Sequence, residues 1–300
     1  WLESKQVLEV VGDWAATRPG VRPGGWAFQY ENPYYPDTDD TAAVALALDR
    51  FDAARYRRAI DRATEWVVGM QSRNGGWGSF DADNTHFYLN HIPFADHGAL
   101  LDPPTADVSA RCLGFLAQTG HALDHPAVAA AIDYLRREQE PDGSWFGRWG
   151  TNYIYGTWSV LAAFNAAGIG SGSPEVRRAV DWLLARQHKD GGWGEAEDSY
   201  FPGAPRGEAP YSTPSQTAWA LLGLMAAGEV EHPAVVRGVA YLVSTQDEEG
   251  NWDEPWFTAV GFPRVFYLRY HGYRAFFPLW ALARYRRLTA GNSRQVPFGI

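Results

Sequence analysis

The sequence predicts an all-α fold, an α/α toroid in which an inner ring of buried helices is wrapped by an outer ring of amphipathic ones. Two observations carry this expectation. A Gln-x-x-x-Gly-x-Trp pattern recurs along the 300 residues, and two kinds of helical segment alternate between its copies. A third observation agrees with them: 14 Trp, 15 Tyr and 15 Phe suit either a repeat that needs Trp or a cavity lined with rings.

Self-similarity decides architecture before any single residue does. The copies run from Gln71 to Trp77, Gln139 to Trp145, Gln187 to Trp193 and Gln246 to Trp252. Five residues before each Gln stands an aromatic (Trp66, Tyr134, Trp182, Tyr241), followed by an apolar residue (Val67, Leu135, Leu183, Leu242). Eight before each Gln is a small residue: Ala63, Ala131, Ala179, Gly238. A degenerate fifth copy ends at Gly24-Gly25-Trp26 and lacks the Gln. The segments before each Gln are amphipathic at helical spacing, with arginines on one side. The Gly-rich stretch after the Gln stops the helix, and Asp-Gly-Gly or Asn-Gly-Gly suits a tight turn. Each copy therefore reads as a helix, a turn, and a Trp that packs back.

The second kind of helix is Ala-rich and nearly uncharged. Such helices begin near Asp39-Asp40-Thr41-Ala42, Asp107-Val108-Ser109-Ala110, Gly156-Thr157-Trp158, Ser215-Gln216-Thr217-Ala218 and Pro278-Leu279-Trp280. A helix that is apolar all round is buried on all sides, and an amphipathic one covers it. Alternation of the two predicts concentric rings rather than an open solenoid. The reading yields five buried and five covering helices in one domain over residues 1–300. A closed six-hairpin barrel needs about one more pair, so part of a hairpin is expected to be missing; the start at Trp1, without Met, also reads as a fragment.

All the buried helices start at equivalent points of the repeat, so their N-termini should open at one end of the barrel. Helix N-termini favour negative charge, which makes that end the place for a polar site.

Bulk composition removes several function classes. A net charge of −9 with no basic run argues against nucleic acid. Cys112 is the only cysteine, which excludes an internal disulfide and a Cys-based metal site and suits a reducing compartment. No stretch reaches the roughly 20 apolar residues of a membrane span, and no signal peptide is visible.

Asp37-Thr38-Asp39-Asp40 stands at the start of a buried helix. Asp is favoured at an N-cap and in the first turn, so capping accounts for one carboxylate. Three in four residues fit a chemical role as well, because clustered carboxylates cannot all ionise without cost and one stays protonated near neutral pH. A protonated carboxyl in an apolar cavity is a Brønsted acid. Metal binding is the rival reading. Glu195, Glu197 and Asp198 are the candidate second cluster, but they follow a repeat turn and are expected to be solvated. Phe257, Phe262, Phe266, Tyr267, Tyr270 and Tyr273 crowd one segment, where Gly261 and Pro263 suggest an irregular loop entering a short helix. Core packing explains any one ring; as a set they suit a pocket whose π faces stabilise a carbocation. A strong acid beside an aromatic wall specifies protonation of an alkene.

The repeat together with Asp-x-Asp-Asp-Thr-Ala resembles the squalene–hopene cyclases, a family of class II triterpene cyclases. The likeness runs along essentially the whole chain. It includes Gly24-Gly25-Trp26-Ala27-Phe28, Asn90-His91-Ile92-Pro93-Phe94, Gly143-Ser144-Trp145-Phe146-Gly147-Arg148-Trp149-Gly150, Thr213-Pro214-Ser215-Gln216-Thr217-Ala218-Trp219 and Gly261-Phe262-Pro263.

The resemblance implies two α-barrel domains with the active site between them, this chain being the second, acid-bearing one. It implies that Asp39 protonates the terminal double bond of squalene, with Asp37 and Asp40 in support. Cation–alkene closures then build the pentacyclic skeleton, giving hopene by deprotonation or hopanol by water capture. That is an isomerase reaction with no metal and no redox cofactor. The resemblance places Phe28, Phe80, Trp149, Tyr155, Phe262, Phe266, Tyr270 and Tyr273 at cavity positions and Phe94 beside the lipid channel. It implies a monotopic protein on the cytoplasmic side of the membrane surface, and it admits a homodimer. The isolated fragment should be inactive, because half the cavity wall belongs to the other domain.

Three positions depart from the family pattern. Arg111 stands where a His is hydrogen-bonded to the acid, and Asp107 lies one turn earlier on the same helix. An Arg cation lowers the energy of the Asp39 conjugate base but cannot relay a proton, which leaves reprotonation to water. Pairing of Arg111 with Asp107 alone is the plainer alternative. Phe80 stands where Tyr is common and His97 where Phe is common, which bears on product identity. Other readings are a class II cyclase of another polyprene such as a C35 chain, and a non-catalytic α-toroid that binds a lipid or protein. A prenyltransferase-like barrel would want zinc ligands that one Cys does not supply.

Overall fold

The computed structural model describes residues 1–92, 101–291, 293, 295 and 296. The chain divides into two compact units, Trp1–Arg137 and Glu138–Ile300.

In the first unit, α1 (Thr38–Asp52) and α3 (Ala106–Gln118) pack side by side. Helix α2 (Arg57–Gly69) covers α1, and α4 (Pro126–Arg137) covers α3. A two-residue strand β1 (Trp26–Ala27) runs antiparallel to β2 (Pro36–Asp37), with Trp26 opposite Asp37. In the second unit, α7 (Pro214–Ala226) lies between α5 (Tyr153–Ala166) and α9 (Tyr273–Ala290). Helix α6 (Pro174–Ala185) packs on α5, and α8 (Pro233–Ser244) packs on α7 and α9. Helix α7 carries no charge and all 13 of its residues are buried, as a helix apolar all round requires.

The repeat works through three sets of hydrogen bonds. Gln71 Nε2 donates to the carbonyls of Gly75 (2.8 Å) and Ala127 (2.9 Å), the latter in the first turn of α4. Gln139 does the same to Gly143 and Glu175, and Gln187 to Gly191 and Ala234. Each Gln thereby ties its own turn to the start of the next covering helix. The indole N–H of Trp77, Trp193 and Trp252 donates to the carbonyl of Val67, Leu183 and Leu242, in the covering helix just ended. A hydroxyl of an inner helix accepts the backbone N–H of the Trp: Thr41 for Trp26, Ser109 for Trp77, Thr157 for Trp145 and Thr217 for Trp193. The motif glycine is required because Gly75, Gly143, Gly191 and Gly250 all have φ between +84° and +98°, which costs another residue about 1–2 kcal/mol.

Five expectations need correction. The fifth copy does have its Gln. Gln6 Nε2 donates to the carbonyls of Gly24 (2.8 Å) and Ala59 (2.9 Å), and Trp26 Nε1 donates to Leu2, reproducing the pattern across an excursion of 18 residues. The segment before Gly24 is not a covering α-helix but holds two 3₁₀ turns, Glu3–Lys5 and Asp13–Ala16, so the described residues contain five inner and four covering α-helices. Residues 257–273 are not a loop entering a short helix. They form a hairpin of β3 (Ala259–Phe262) and β4 (Phe266–Leu268), with an irregular register between Val260 and Phe262 and Arg264 at φ +67° in its turn. Helix α9 starts at Tyr273 rather than near Pro278, because Tyr273 and Phe277 pack their rings on Trp219 of α7 and hold that extra turn. It is also not apolar all round: it carries Arg274, Arg284, Arg286 and Arg287, and Phe276 and Leu279 are exposed.

Candidate active site

The acidic cluster is built by the start of α1. Asp37 is the N-cap: its backbone is extended and its Oδ1 accepts the Asp40 N–H at 2.8 Å. Thr38 anchors the helix start to the loop after Trp77, donating its N–H to the Ser79 carbonyl and its hydroxyl to the Gly78 carbonyl, both at 2.8 Å. Thr41 is the repeat hydroxyl that holds Trp26. Capping therefore accounts for Asp37, and repeat architecture for Thr38 and Thr41. It leaves Asp39 and Asp40 without a structural duty of that kind. Counting two residues back from each repeat hydroxyl aligns Asp39 with Asp107, Tyr155 and Ser215.

Arg111 of α3 reaches across to the cluster. Its Nε donates to Asp39 Oδ1 at 2.5 Å, with the Arg111 side chain 13% exposed and that of Asp39 25%. The structure therefore places Arg111 on Asp39, the pairing that the plainer alternative would have denied. Asp107 is buried one turn earlier on α3. The free thiol of Cys112, next to Arg111, lies 3.8 Å from the Thr38 carbonyl, and burial pushes it well above the usual thiol range.

Burial raises the Asp37 carboxyl well above the ordinary carboxylate range; the Asp40 and Asp39 charges add to this and the Asp40 N–H opposes it. Burial first, then the Asp39 charge, raises Asp40 to about 6, with Arg111 pulling the other way. The cluster thus holds protons that an isolated carboxylate would release, as like charges at close quarters require. A fourth carboxylate escaped sequence reasoning. Asp102 accepts the backbone N–H groups of Ser79 (3.1 Å), Phe80 (2.6 Å) and Asp81 (2.8 Å) and so fixes the loop on which Thr38 is anchored. Its burial raises its pKa against those three bonds. Nothing in its local spacing signals the role, since its partners stand more than twenty residues away.

Of the proposed cavity rings, the first unit holds Phe28 and Phe80. Phe28 borders a cavity of about 650 Å³ together with Trp26, Asp40 and Val44. Phe28 and Phe80 also share a smaller one of about 190 Å³ with Tyr35. Phe94 and His97 lie outside the described residues. The second unit holds the other six in two groups. Trp149, Phe262 and Phe266 gather at the hairpin, with Phe262 and Phe266 edge-to-face at 5.4 Å. Tyr155 packs on Trp219 at 4.9 Å, Trp219 on Tyr273 at 5.9 Å, and Tyr273 on Tyr270 at 5.1 Å. Trp158, Trp219 and Phe277 belong to this second group and were missed. Their one signal was the presence of large rings on helices that should be buried.

Among the described residues, Glu195, Glu197 and Asp198 do not form one metal-holding group. Glu195 is buried, not solvated: it accepts the N–H groups of Asn152, Ile154 and Gly207 at 2.9–3.1 Å and so satisfies the start of α5. Glu197 is half-buried and Asp198 exposed. Glu254 serves α7 in the same way through the Ser215 N–H and hydroxyl. Among the described residues, no three His, Cys, Asp or Glu side chains converge on a metal-sized space. No described helix is long and apolar enough to cross a membrane.

The helical fold is the α/α toroid of the terpene cyclases. It is similar to the type II terpene cyclase MstE from Scytonema, with a TM-score of 0.60 at 20% identity over 91% of this chain and 78% of that one. That cyclase has also been solved with geranylgeranyl dihydroxybenzoate, a polyprenyl substrate. The chain belongs to the squalene–hopene cyclase family, matching its C-terminal domain over residues 1–287. It is 62% identical over 305 residues to a squalene–hopene cyclase from Bradyrhizobium diazoefficiens, taking in 100% of this chain and 46% of that protein. Against a squalene–hopene cyclase from Alicyclobacillus acidocaldarius it is 52% identical over 290 residues, 96% of this chain and 46% of that protein. The chain spans about half the length of the curated relatives it matches.

Proposed function

We propose that this chain is the acid-bearing, C-terminal half of a two-domain enzyme that cyclises squalene to a pentacyclic triterpene, hopene or hopanol. The observation that carries the reading is the Asp39–Arg111 pair at the start of α1, flanked by two carboxyls that burial keeps prone to protonation. Asp39 delivers a proton to the terminal alkene, and Arg111 compensates the charge left on the carboxylate. Asp37 holds the helix start, and Asp40 supports Asp39 beside the first cation. Successive cation–alkene closures follow on a folded chain, and the last cation loses a proton or captures water. We assign ring faces for those cations to Phe28 and Phe80 in the first unit and, separately, to Trp149, Tyr155, Phe262, Phe266, Tyr270 and Tyr273 in the second. Because Arg111 does not titrate, water returns the proton to Asp39.

The lipid nature of squalene also supports a monotopic placement at a membrane surface, and we take the cytoplasmic side as the one the family resemblance implies. Phe87 and Tyr88, 58% and 68% exposed, are suited to contact with that surface. A homodimer is compatible with this placement.

The test is to incubate the full-length enzyme with squalene and analyse the lipids by mass spectrometry, with Asp39→Asn beside it. Loss of cyclisation by about a hundredfold to ten-thousandfold in the variant is expected for a general acid. Equal conversion by the variant removes the proton-donor assignment. A full-length protein that converts no polyprene is a binding domain instead. The 300-residue chain alone is expected to be inactive.

A further inference from the structure

Trp149 and Phe262 reach one another through the backbone. Trp149 offers its carbonyl to the Val260 N–H at 3.2 Å, Gly150 bridges to Ala259, and the Thr151 N–H donates to the Thr258 carbonyl at 3.0 Å. Residues 149–151 thus form an extra edge on β3, which ends in Phe262. One cation lies within reach of both rings. The Arg148 guanidinium lies 4.2 Å from the Trp149 centroid and 5.4 Å from that of Phe262. Both distances are within cation–π range, and a planar guanidinium stacks on a ring where an ammonium does not. Phe262 in turn meets Phe266 edge-to-face, so the orientation set by Arg148 passes to a third ring.

We infer that Arg148 is a positioning and specificity-determining residue that fixes the Trp149 and Phe262 ring planes against each other. The inference rests on the cyclase reading above. The ring face turned to Arg148 is already taken by a fixed positive charge. A substrate cation is repelled from the face turned to Arg148, so the clamp sets the direction from which each ring can meet it. A carbocation held at the wrong angle loses its proton before the next closure, so looser rings release products with fewer rings.

The experiment compares Arg148→Met and Arg148→Lys with the parent full-length enzyme, measuring squalene consumption, product distribution and melting temperature. Met keeps much of the volume and removes the cation; Lys keeps the charge and loses the plane. The share of incompletely cyclised products should rise about tenfold with Met and about threefold with Lys, while squalene consumption stays within about threefold of the parent. Adding Phe262→Leu to Arg148→Met should change the distribution by less than the sum of the two, because the two residues act as one unit. Arg148→Met with the parent's distribution overturns the inference, and so does a loss of melting temperature with that distribution intact. Should Arg148→Met not fold, Arg148→Lys with the parent's distribution overturns it equally. A parent that converts no polyprene overturns the cyclase reading itself and this inference with it.

Discussion

Arg111 Nε donates to Asp39 Oδ1 at 2.5 Å, joining the start of α1 to the second turn of α3. The contact makes a fixed cation the partner of the proposed acid. A neutral residue at 111 would leave the charge on Asp39 unanswered in a half-buried place. Arg111→Met should therefore lower cyclisation by about a hundredfold or more, in line with the loss of a partner to a general acid. Arg111→His should keep part of the rate but add a titration at residue 111 near the imidazole range, on top of the Asp40 titration near 6 that both enzymes share. Rates against pH for the two variants and the parent check both statements. An Arg111→His profile that coincides with the parent's would mean that residue 111 does not sense the reaction.

The Asp40 carboxyl makes stability depend on pH in a definite direction. It is raised from 3.8 to about 6 by burial first and by Asp39 second. The folded chain therefore binds this proton more tightly than the unfolded one, and stability falls as pH rises from about 4 through about 6. The full loss above that window is on the order of 3 kcal/mol for a shift of about two units. Asp37, also raised, acts in the same sense. Asp40→Asn should melt several degrees above the parent at pH 8, and the gap should close below pH 4. Thermal melts at the two pH values decide it; a variant that is less stable than the parent at pH 8 contradicts the burial argument.

What could be read in the sequence was what the chain encodes at short range. The four Gln-to-Trp copies keep a fixed spacing because Gln, Gly and Trp all act within one turn, and so the alternation of covering and inner helices was legible. Gln6 was not, because 18 residues separate it from Gly24 and erase the spacing while the bonds survive. The hairpin at 259–268 was hidden for another reason: short strands of rings, Gly and Pro have no clear period. Of the acidic cluster, the cap and the remaining carboxylates looked alike in sequence. Only the repeat hydroxyl at Thr41, which marks the register, separates Asp37 as architecture from Asp39. Asp102 and Glu195 depend on contacts across the fold, which no local pattern encodes.

Gln6 offers a direct test of the repeat. Its amide donates to two carbonyls, and about 1 kcal/mol per bond is ordinary for such contacts. Gln6→Ala should cost about 2 kcal/mol in urea unfolding, close to the cost of Gln71→Ala, which removes the matching pair of bonds. Gln6→Glu should be worse than Ala, because a carboxylate meets two carbonyl oxygens with no proton to offer. If Gln6→Ala is neutral while Gln71→Ala is not, the fifth copy does not function as a repeat.

Glu195 separates architecture from metal chemistry. Its two oxygens accept two backbone N–H groups at the start of α5 and a third from Gly207, and its own N–H is held by Gln216 Oε1 at 3.0 Å. Gln at 195 would place an amide nitrogen against N–H groups that need an acceptor, on whichever side the amide is turned. The start of α5 carries Tyr155, so the loss should be felt at the rings as well as in stability. Glu195→Gln should destabilise the chain by about 2–3 kcal/mol, the cost of a buried donor left unmet. Chelator should not change the melting temperature of the parent, since the carboxylate is fully engaged by the backbone. Chemical unfolding of the variant, and of the parent with and without EDTA, distinguishes the two roles: a parent that EDTA destabilises, with Glu195→Gln insensitive to it, would return Glu195 to the metal reading.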